Sequence, residues 1–373
     1  MNGYFDHNAT TPLHAAAREA WLRASEKHWH NPSSLYRDAG LASQQLEAAR
    51  ERLGTLMGAE AERIVFTSGA TESNNAMFAT LPADAVVLIS AIEHPSVREA
   101  LRGRDVVELQ VNADGIVEVD AVKRMIVCKK PALVSVMAAN NESGALQPWR
   151  EIAALCREHC VLFHTDAAQW IGKIDASNLG ECDFITGSAH KFGGSKGCGF
   201  LVLPAEDSRL GFIRGGPQEN GRRAGTENYP AVEAMVTALE TITPRLSEVE
   251  TAQSKLRDEF IAAMRARFGH LRVISEAAPR LWNTALMVMP EHDNLKWLTR
   301  LSRRGFSIST GSACSSGKEG SSVVVSALGA SAEELKRVVR ISSGWDTTAE
   351  NWQALAAAFV EVSEELNRGG RPQ

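Results

Sequence analysis

The sequence predicts an α/β protein in which a mostly parallel sheet lies between layers of helices and is followed by a smaller α+β domain. Two patterns indicate this fold. From about residue 40 to residue 203, short and nearly continuous apolar runs alternate with segments whose apolar residues recur at helical spacing. Strands that are buried on both faces and joined by crossover helices have this pattern. After about residue 245 the alternation stops, which indicates a second domain of a different kind.

Seven apolar runs predict the strands of the large sheet. They are Arg63–Thr67, Ala85–Ile89, Val106–Val111, Leu133–Met137, Val161–Thr165, Asp183–Thr186 and Gly199–Leu203. Helical spacing precedes the first run, at Leu46, Ala49 and Leu53, and recurs between later runs, most clearly at Trp149–Glu158. We therefore expect helices on both faces of the sheet.

A long helix over Leu246–Phe268 leads into the second domain. After it we expect strands at Leu271–Ile274, Thr284–Met289, Phe306–Ser309 and Val338–Ile341, and helices at Leu295–Arg303 and near the C-terminus. Thr347 and Glu350 have the spacing of a capping box for the last helix. We assign residues 13–250 to the large domain, and residues 1–12 and 251–373 to the small domain.

Composition and charge give no indication of nucleic-acid or membrane binding. The chain is 44% hydrophobic and 23% charged, and its net charge of −5 comes from interspersed residues of both signs. No apolar run approaches the roughly 18 residues of a membrane span, and residues 1–7 lack the features of a signal peptide. Cys156 and Cys160 fit two partly buried helix residues better than a metal site. The expected location is the reducing cytoplasm.

Polar residues follow five of the predicted strands, and they are Thr71, His94, Asn141, Asp166 and Lys191. In doubly wound sheets, ligands bind at the carboxyl ends of the strands. Taken singly, each residue has an ordinary explanation: a helix cap, a turn, a partly buried ring or a surface lysine. Their joint occurrence around one crevice predicts a binding site.

The run Ser188-Ala189-His190-Lys191 gives the strongest single indication of chemistry. Desolvation at the end of a buried strand lowers the pKa of a lysine, and a neutral amine can attack the aldehyde of pyridoxal phosphate (PLP). Ser188 and His190 are suited to hold a phosphate. A carboxylate at Asp166 can pair with a protonated pyridine nitrogen, which makes the ring a better electron sink.

A glycine- and serine-rich segment, residues 309–317, surrounds Cys314. A structural cysteine favours apolar neighbours, whereas a reactive thiolate needs access, so this context favours reactivity over an incidental cysteine. Arg340 lies at the end of a strand of the second domain and can bind a substrate carboxylate through two parallel hydrogen bonds. Considered alone, Arg340 is more simply explained as part of a surface ion pair.

Together these residues resemble the NifS/IscS-type cysteine desulfurases, PLP enzymes of the aspartate aminotransferase fold (fold type I, class V). The resemblance runs in order from about residue 4 to residue 345. Its motifs are Asp6-His7-Asn8-Ala9-Thr10-Thr11-Pro12, Thr67-Ser68-Gly69-Ala70-Thr71-Glu72-Ser73-Asn74, Asn140-Asn141-Glu142, Asp166-Ala167-Ala168-Gln169, Ser188-Ala189-His190-Lys191 and Ser312-Ala313-Cys314.

The resemblance implies a role for each position. Lys191 would bond to the PLP aldehyde, Asp166 would bind the pyridine nitrogen, Gln169 the ring hydroxyl oxygen, and His94 would stack on the ring and move protons. The phosphate would be held by Thr71, Ser188 and His190 beside Ala70, with Thr226 reaching in from a second subunit. Asn141 would contact the cofactor. Together with Arg340, it would also bind the substrate carboxylate. Cys314 would accept the sulfur as a persulfide.

The implied activity is removal of sulfur from L-cysteine, which leaves L-alanine. The implied partners are a second copy of the chain and a sulfur-acceptor protein, such as an iron–sulfur scaffold or a thiolation enzyme; no metal is implied. A selenocysteine or cystine lyase of the same fold would keep Lys191 and could work without Cys314. A non-catalytic PLP-binding relay protein would not need the intact lysine, aspartate and cysteine. A dehydrogenase-like nucleotide binder would need a Gly-x-Gly-x-x-Gly after the first strand, and none is present.

Overall fold

The computed structural model describes residues 3–205, 212–311 and 322–369. Within these ranges the strands form one seven-stranded and one three-stranded sheet. The strands are β1 (Ile64–Thr67), β2 (Val86–Ser90), β3 (Asp105–Leu109), β4 (Leu133–Ser135), β5 (Leu162–Asp166), β6 (Phe184–Ser188), β7 (Gly199–Val202), β8 (Arg272–Val273), β9 (Thr284–Val288) and β10 (Val338–Ser342).

The α-helices cover both sheets and connect them. They are α1 (Ala15–Lys27), α2 (Arg37–Met57), α3 (Ala70–Ala79), α4 (Pro95–Arg98), α5 (Val119–Lys129), α6 (Trp149–Glu158), α7 (Tyr229–Ile242), α8 (Leu246–Arg267), α9 (Asn294–Arg303), α10 (Val323–Ala327), α11 (Ala332–Leu335) and α12 (Ala349–Gly369). In the described residues, none of them combines the length and the apolarity that a membrane crossing needs.

The order of strands in the large sheet brings several strand ends to one edge. The order is β1-β7-β6-β5-β4-β2-β3. Strands β3, β2, β4, β5 and β6 pair in parallel, and β7 runs antiparallel to both β6 and β1. The carboxyl ends of β1 to β6 therefore share one edge, which is where the predicted site residues follow.

Helices pack on both faces of this sheet, so its strands are apolar without alternation. In β2, Val87 belongs to one apolar core, and its neighbour Leu88 belongs to the core on the opposite face. Leu133 and Val134 of β4 are divided in the same way. Side chains of a strand alternate between faces, so two consecutive apolar residues are buried only where both faces are covered.

The N-terminal segment packs against the small sheet, whose order is β10-β9-β8. The N–H of Phe5 donates to the carbonyl of Ser307 over 2.8 Å, and the N–H of Ser342 donates to the carbonyl of Phe5 over 2.9 Å. The Phe5 ring is fully buried and meets Trp352 edge to face. The chain continues from there to the edge of the large sheet.

Most predicted elements are present with ends that differ by one to three residues, and three predictions are wrong. Phe306–Ser309 is not a strand, because only isolated bridges form at Ser307 and Ser309. The last helix is capped by Thr348 and Asn351, whose side chains accept from each other's N–H groups. The predicted Thr347 instead accepts from the N–H of Gly344. Cys160 is exposed and follows the end of α6, while Cys156 is buried inside it.

A buried ion pair ties α2 to β1 and to residues 219–221. The guanidinium of Arg50 donates to both carboxylate oxygens of Glu219, over 2.7 and 3.0 Å, and to the carbonyl of Ile64 over 2.9 Å. Glu219 also accepts from the N–H of Phe66 over 2.9 Å. Both side chains are almost fully buried. Arg50 also pairs with the half-exposed Glu47, whereas the Glu219 carboxylate depends on Arg50 for compensation.

Replacing Arg50 with methionine should lower the free energy of unfolding by about 3–5 kcal/mol, because it leaves the Glu219 carboxylate buried without its partner. Arg52 on the same helix is the control, since its pairs with Glu233 and Glu240 are partly exposed. Arg52→Met should cost about 1 kcal/mol or less. Urea unfolding of the apoprotein measures both, and equal losses would contradict the assigned importance of the buried pair.

Candidate active site

One cavity lies at the carboxyl edge of the large sheet and has a volume of about 670 Å³. It is lined by the predicted residues Ala70, Thr71, His94, Asn141, Asp166, Gln169, Ser188, His190, Lys191 and Arg340. Thr226 is exposed and is not part of the lining. Cys314 lies outside the described residues. A cavity of this size with a few polar groups is typical of a site for a small organic ligand.

Asp166 ends β5 and is 6% exposed. One carboxylate oxygen accepts from Nδ2 of Asn74 over 3.0 Å, and the other accepts from the N–H of Ala168 over 3.0 Å. A carboxylate can accept about four hydrogen bonds. The geometry therefore fixes the carboxylate and leaves it able to accept from a cationic ligand.

A chain of hydrogen bonds links Asp166 to His94. Nδ2 of Asn74 also donates to Oγ of Ser96 over 2.9 Å, and Ser96 Oγ lies 2.8 Å from Nδ1 of His94. The N–H of Ser96 donates to the same Nδ1 over 3.1 Å, because His94 caps helix α4. Since Nδ1 accepts, the neutral ring carries its proton on Nε2. Burial and the charge of Lys191 lower the pKa of His94, while Asp166 opposes them.

Lys191 lies three residues after β6, at the end of a single helical turn. Its ammonium donates to the carbonyls of Asn8 over 2.7 Å and Ala9 over 2.8 Å. Both acceptors belong to the N-terminal segment. The lysine that the sequence predicted to be reactive is therefore directed into the cavity by carbonyls more than 180 residues earlier.

Another part of the cavity wall has the features of a phosphate site. Helix α3 begins at Ala70, and its N-cap Gly69 has φ +144 and provides no side-chain cap. This φ lies in the region that favours glycine, and a Cβ built at Gly69 would lie in ordinary contact, at 3.5 Å, with Oγ of Ser188. Uncapped N–H groups at a helix N-terminus attract anions.

His190 adds a polar ring beside this region. Its Nδ1 lies 3.1 Å from Oγ1 of Thr10. Burial, followed by the charges of Lys191, Lys196 and Lys173, lowers the pKa of His190 to about 4. The ring is therefore neutral at pH 7 and can offer an anion a hydrogen bond but no positive charge.

Arg340 is 2% exposed and reaches the cavity from β10. One terminal nitrogen donates to the Asp6 carboxylate over 2.6 Å, and the other donates to the carbonyl of Asn141 over 2.9 Å. Its Nε is buried and has no hydrogen-bond partner in the described part of the chain. The simpler sequence interpretation, a surface ion pair, is wrong, because this arginine is buried at the cavity.

Glu142 contacts both residues that flank residues 312–321. The hydroxyl of Ser322 donates to Oε2 of Glu142 over 2.6 Å. A side chain at Gly311, which has φ +107, would come within 2.7 Å of the same oxygen. Burial raises the pKa of Glu142, although the bond from Ser322 opposes the shift. The two ends of the segment that contains Cys314 therefore meet at the wall of the cavity.

Glu93 is a buried acid directly before His94. Its Oε1 accepts from the hydroxyl of Ser90 over 2.6 Å and from the N–H of Met137 over 2.8 Å. Its Oε2 is buried and lacks a partner among the described residues. Burial, with a smaller contribution from Asp166, raises the pKa of Glu93 to about 8, so that it is protonated at pH 7.

Sequence reasoning missed four residues of the site's support: Asn8, Asn74, Ser96 and Lys173. Asn8 and Asn74 stand inside two of the motifs, but nothing in the sequence shows what their side chains contact. Ser96 carries a weak signal, because a serine two residues after a strand-end histidine can cap a turn. Lys173 has no signal, since its burial depends on the three-dimensional fold.

Comparisons with known proteins give one consistent result. The family model described as aminotransferase class-V matches residues 3–355. The chain is 36% identical over 375 residues to a cysteine desulfurase of Rhodobacter capsulatus and covers 97% of both proteins. It is 33% identical over 375 residues to the cysteine desulfurase IscS of Dictyoglomus turgidum, covering 97% of this chain and 95% of that protein. An X-ray structure of a NifS-like protein from Rickettsia africae superposes with a TM-score of 0.89 at 30% identity, covering 97% of this chain and 99% of the other.

Replacing Glu93 with glutamine tests the buried acid. The native protein keeps the Glu93 proton up to about pH 8, whereas the unfolded chain loses it near pH 4.5. The native state therefore binds the extra proton between these values, and its stability falls as the pH rises through them. The amide keeps the Oε1 acceptor and does not ionise.

The melting temperature of Glu93→Gln apoprotein, relative to the parent, should therefore rise from pH 5 to pH 9. A pH-independent difference would show that Glu93 is ionised in the native protein. Glu99→Gln is the control, because Glu99 is an exposed residue for which the same substitution removes no buried acid.

Proposed function

The chain belongs to the class-V aminotransferase family and is a PLP-dependent cysteine desulfurase, and we propose that the cavity at the edge of the large sheet is its active site. The enzyme takes sulfur from L-cysteine and passes it to an acceptor. One observation carries the proposal: Lys191, Asp166 and Arg340 line the same cavity. These are the three groups that a PLP enzyme acting on an amino acid needs.

The residues present fit PLP at both ends. The uncapped N-terminus of α3, Thr71, Ser188 and the neutral His190 offer donors to a phosphate. The carboxylate of Asp166, buried and held by two donors, is matched to a protonated pyridine nitrogen. Gln169 lies three residues after Asp166 and lines the cavity, and its amide can donate a hydrogen bond to the ring hydroxyl oxygen of PLP. Asn141 and Ala70 contribute to the lining.

Bound PLP supplies an aldehyde that bonds to amines and a ring that withdraws electrons from the Cα of an amino acid. Lys191 would hold the cofactor aldehyde and would accept the proton from Cα of the substrate. Asp166 would keep the pyridine nitrogen protonated. His94, with its proton on Nε2 and its orientation fixed by Ser96, would hold the ring and exchange a proton at the substrate sulfur.

Arg340 is proposed to bind the substrate carboxylate. Asp6 and the carbonyl of Asn141 hold its two terminal nitrogens, which fixes the guanidinium plane. The buried Nε donor has no partner in the described residues, and burying such a donor is unfavourable until a ligand accepts from it. Asn141 lines the same cavity, and its side-chain amide can donate to the second carboxylate oxygen.

Cys314 is proposed to accept the sulfur. Gly311, three residues before Cys314 in the sequence, lies against Glu142 at the cavity wall, which supports the proposal. The thiolate of Cys314 forms a bond to the sulfur of cysteine, and the Cβ–S bond breaks. L-cysteine and the enzyme thiol thus become L-alanine and an enzyme persulfide, with no other reactant.

Two substitutions test this assignment. Lys191→Ala should lose the visible colour of the bound cofactor and at least about 10³-fold of the rate of alanine formation. Cys314→Ala should bind PLP with the parent's affinity and form alanine at least about 10²-fold more slowly. Alanine and sulfide are measured with L-cysteine, selenocysteine and cystine as substrates.

Lys123→Ala and the exposed Cys128→Ala are the controls and should match the parent. Alanine formation at the parent rate by Cys314→Ala would contradict the persulfide step and favour a lyase. We propose an iron–sulfur scaffold or a thiolation enzyme in the cytoplasm as the protein that accepts the persulfide sulfur.

The active form is proposed to be a homodimer in which Thr226 reaches the phosphate site of the other subunit. Thr226 is exposed and does not line its own cavity. Large apolar side chains are also exposed, with Trp29 at 67%, Leu35 at 104% and Phe212 at 50%. A second subunit would remove such side chains from water.

Mixing two inactive variants tests the shared site. Thr226→Ala, assayed at a PLP concentration that leaves it unloaded, and Lys191→Ala are each expected to be inactive. A 1:1 mixture refolded together should regain about a quarter of the parent activity, since half of the dimers carry one intact site. No recovery would show that Thr226 acts on its own subunit.

A further inference from the structure

Lys173 is a buried lysine that the proposed mechanism does not use. It lies seven residues after Asp166 and is 1% exposed. Its ammonium donates to Oε1 of Gln169 over 2.9 Å and to the carbonyl of Gln169 over 3.3 Å. Among the described residues, no carboxylate lies within 4.0 Å of its ammonium nitrogen. Both hydrogen bonds of this cation therefore go to a single residue.

The contacts continue from Gln169 to the reactive lysine. Nε2 of Gln169 donates to the carbonyl oxygen of Asn8 over 2.9 Å. The same oxygen accepts from the ammonium of Lys191 over 2.7 Å. Gln169 thus lies between an ammonium, which can only donate, and a backbone carbonyl, which can only accept.

Burial of Lys173 costs stability. Desolvation, followed by the charges of Lys191 and Arg340, lowers the pKa of Lys173 to about 7. The other titratable groups that interact with it are His7 and His190, and neither offers a compensating negative charge. A methionine of similar length would fill the same space without this cost. A residue that is unfavourable for folding at the edge of an active site indicates a functional constraint.

We propose that Lys173 is a positioning residue that fixes the amide of Gln169 so that an N–H, and not the carbonyl oxygen, faces the ring hydroxyl oxygen of PLP. The inference rests on the proposed role of Gln169. Because protonated Lys173 has only donors, Oε1 faces it, and Nε2 then faces Asn8 and the cavity. One N–H of Nε2 is used by Asn8, and the second is left for the cofactor.

The orientation matters because the ring oxygen of bound PLP is an anion. An N–H donor stabilises that anion, and an amide oxygen in the same place repels it. Without Lys173, Oε1 would be buried and unsatisfied, and the amide could turn its oxygen toward the cavity. The ammonium of Lys173 adds a positive charge behind the amide, which acts in the same direction.

The test is a double-mutant cycle on Lys173→Met and Gln169→Leu. Two quantities are measured for each protein: the dissociation constant for PLP, and the pH midpoint at which the absorption band of the bound cofactor changes. Lys173→Met should weaken PLP binding by roughly tenfold. It should also raise the midpoint by about one pH unit, because an N–H donor and a nearby positive charge both favour the deprotonated chromophore.

If Lys173 acts through Gln169, Lys173→Met should not further change PLP affinity or the pH midpoint in a protein that already carries Gln169→Leu. Additive effects of the two substitutions on the dissociation constant or on the pH midpoint would overturn the inference. It would also be overturned if Gln169→Leu changed these quantities and Lys173→Met did not. If Gln169→Leu left PLP affinity and the pH midpoint unchanged, both the proposed role of Gln169 and the inference would be overturned. The Lys191→Ala experiment would still test the proposed function independently.

Stability measurements separate positioning from packing. The Lys173→Met apoprotein should melt no lower than the parent below pH 7, because it removes a buried charge that lacks an acidic partner. A variant that melts as high as the parent and binds PLP less tightly therefore supports positioning. A lower melting temperature with unchanged spectra would show that Lys173 is a packing residue and would overturn the inference. The exposed Lys123→Met is the control for both measurements.

Discussion

Hydrogen bonds to Asn8 join the two sheets at the cavity. Asn8 is 1% exposed. Its carbonyl accepts from Gln169 and Lys191 of the large sheet, while its side chain donates to Thr284 of β9 and its N–H donates to the hydroxyl of Ser342 in β10. Asn8 therefore links Gln169 and Lys191 to the sheet that carries Arg340, and the bond from Arg340 to the carbonyl of Asn141 is a second link. A displacement of Asn8 would move groups of both sheets at once.

Burial determines the chemistry of the charged groups around this junction. Lys173 and His190 have lowered pKa values, and Glu93 has a raised pKa, because the surroundings exclude water. Glu93 and His190 are therefore neutral at pH 7, whereas Lys173, with a pKa of about 7, is charged below that pH. Two charged groups at the cavity have compensating partners instead. Asp166 accepts from the amide of Asn74, and Arg340 pairs with Asp6.

The sequence predicted the residues that line the cavity better than the hydrogen bonds that support them. Ten predicted residues line the cavity because strand ends are visible as the points where apolar runs stop, and parallel strands bring those ends together. The contacts of Asn74, Ser96 and Lys173 join residues that are far apart in sequence or separated by turns, and no pattern of apolar spacing encodes them. The capping box was misplaced by one residue because Thr347 and Thr348 are both capable caps, and only the backbone decides between them.

The position of Asn8 in the chain also constrains how the enzyme is made. Its partners at Gln169, Lys191 and Ser342 are between 161 and 334 residues further along. At a synthesis rate of about 5–20 residues per second, the N-terminal segment waits roughly 17 seconds or longer on the ribosome before Ser342 exists. The large sheet can form earlier, during translation, but the junction cannot. PLP therefore meets a complete pocket only after nearly all of the polypeptide has been translated, and cofactor insertion is a late step in the maturation of this enzyme.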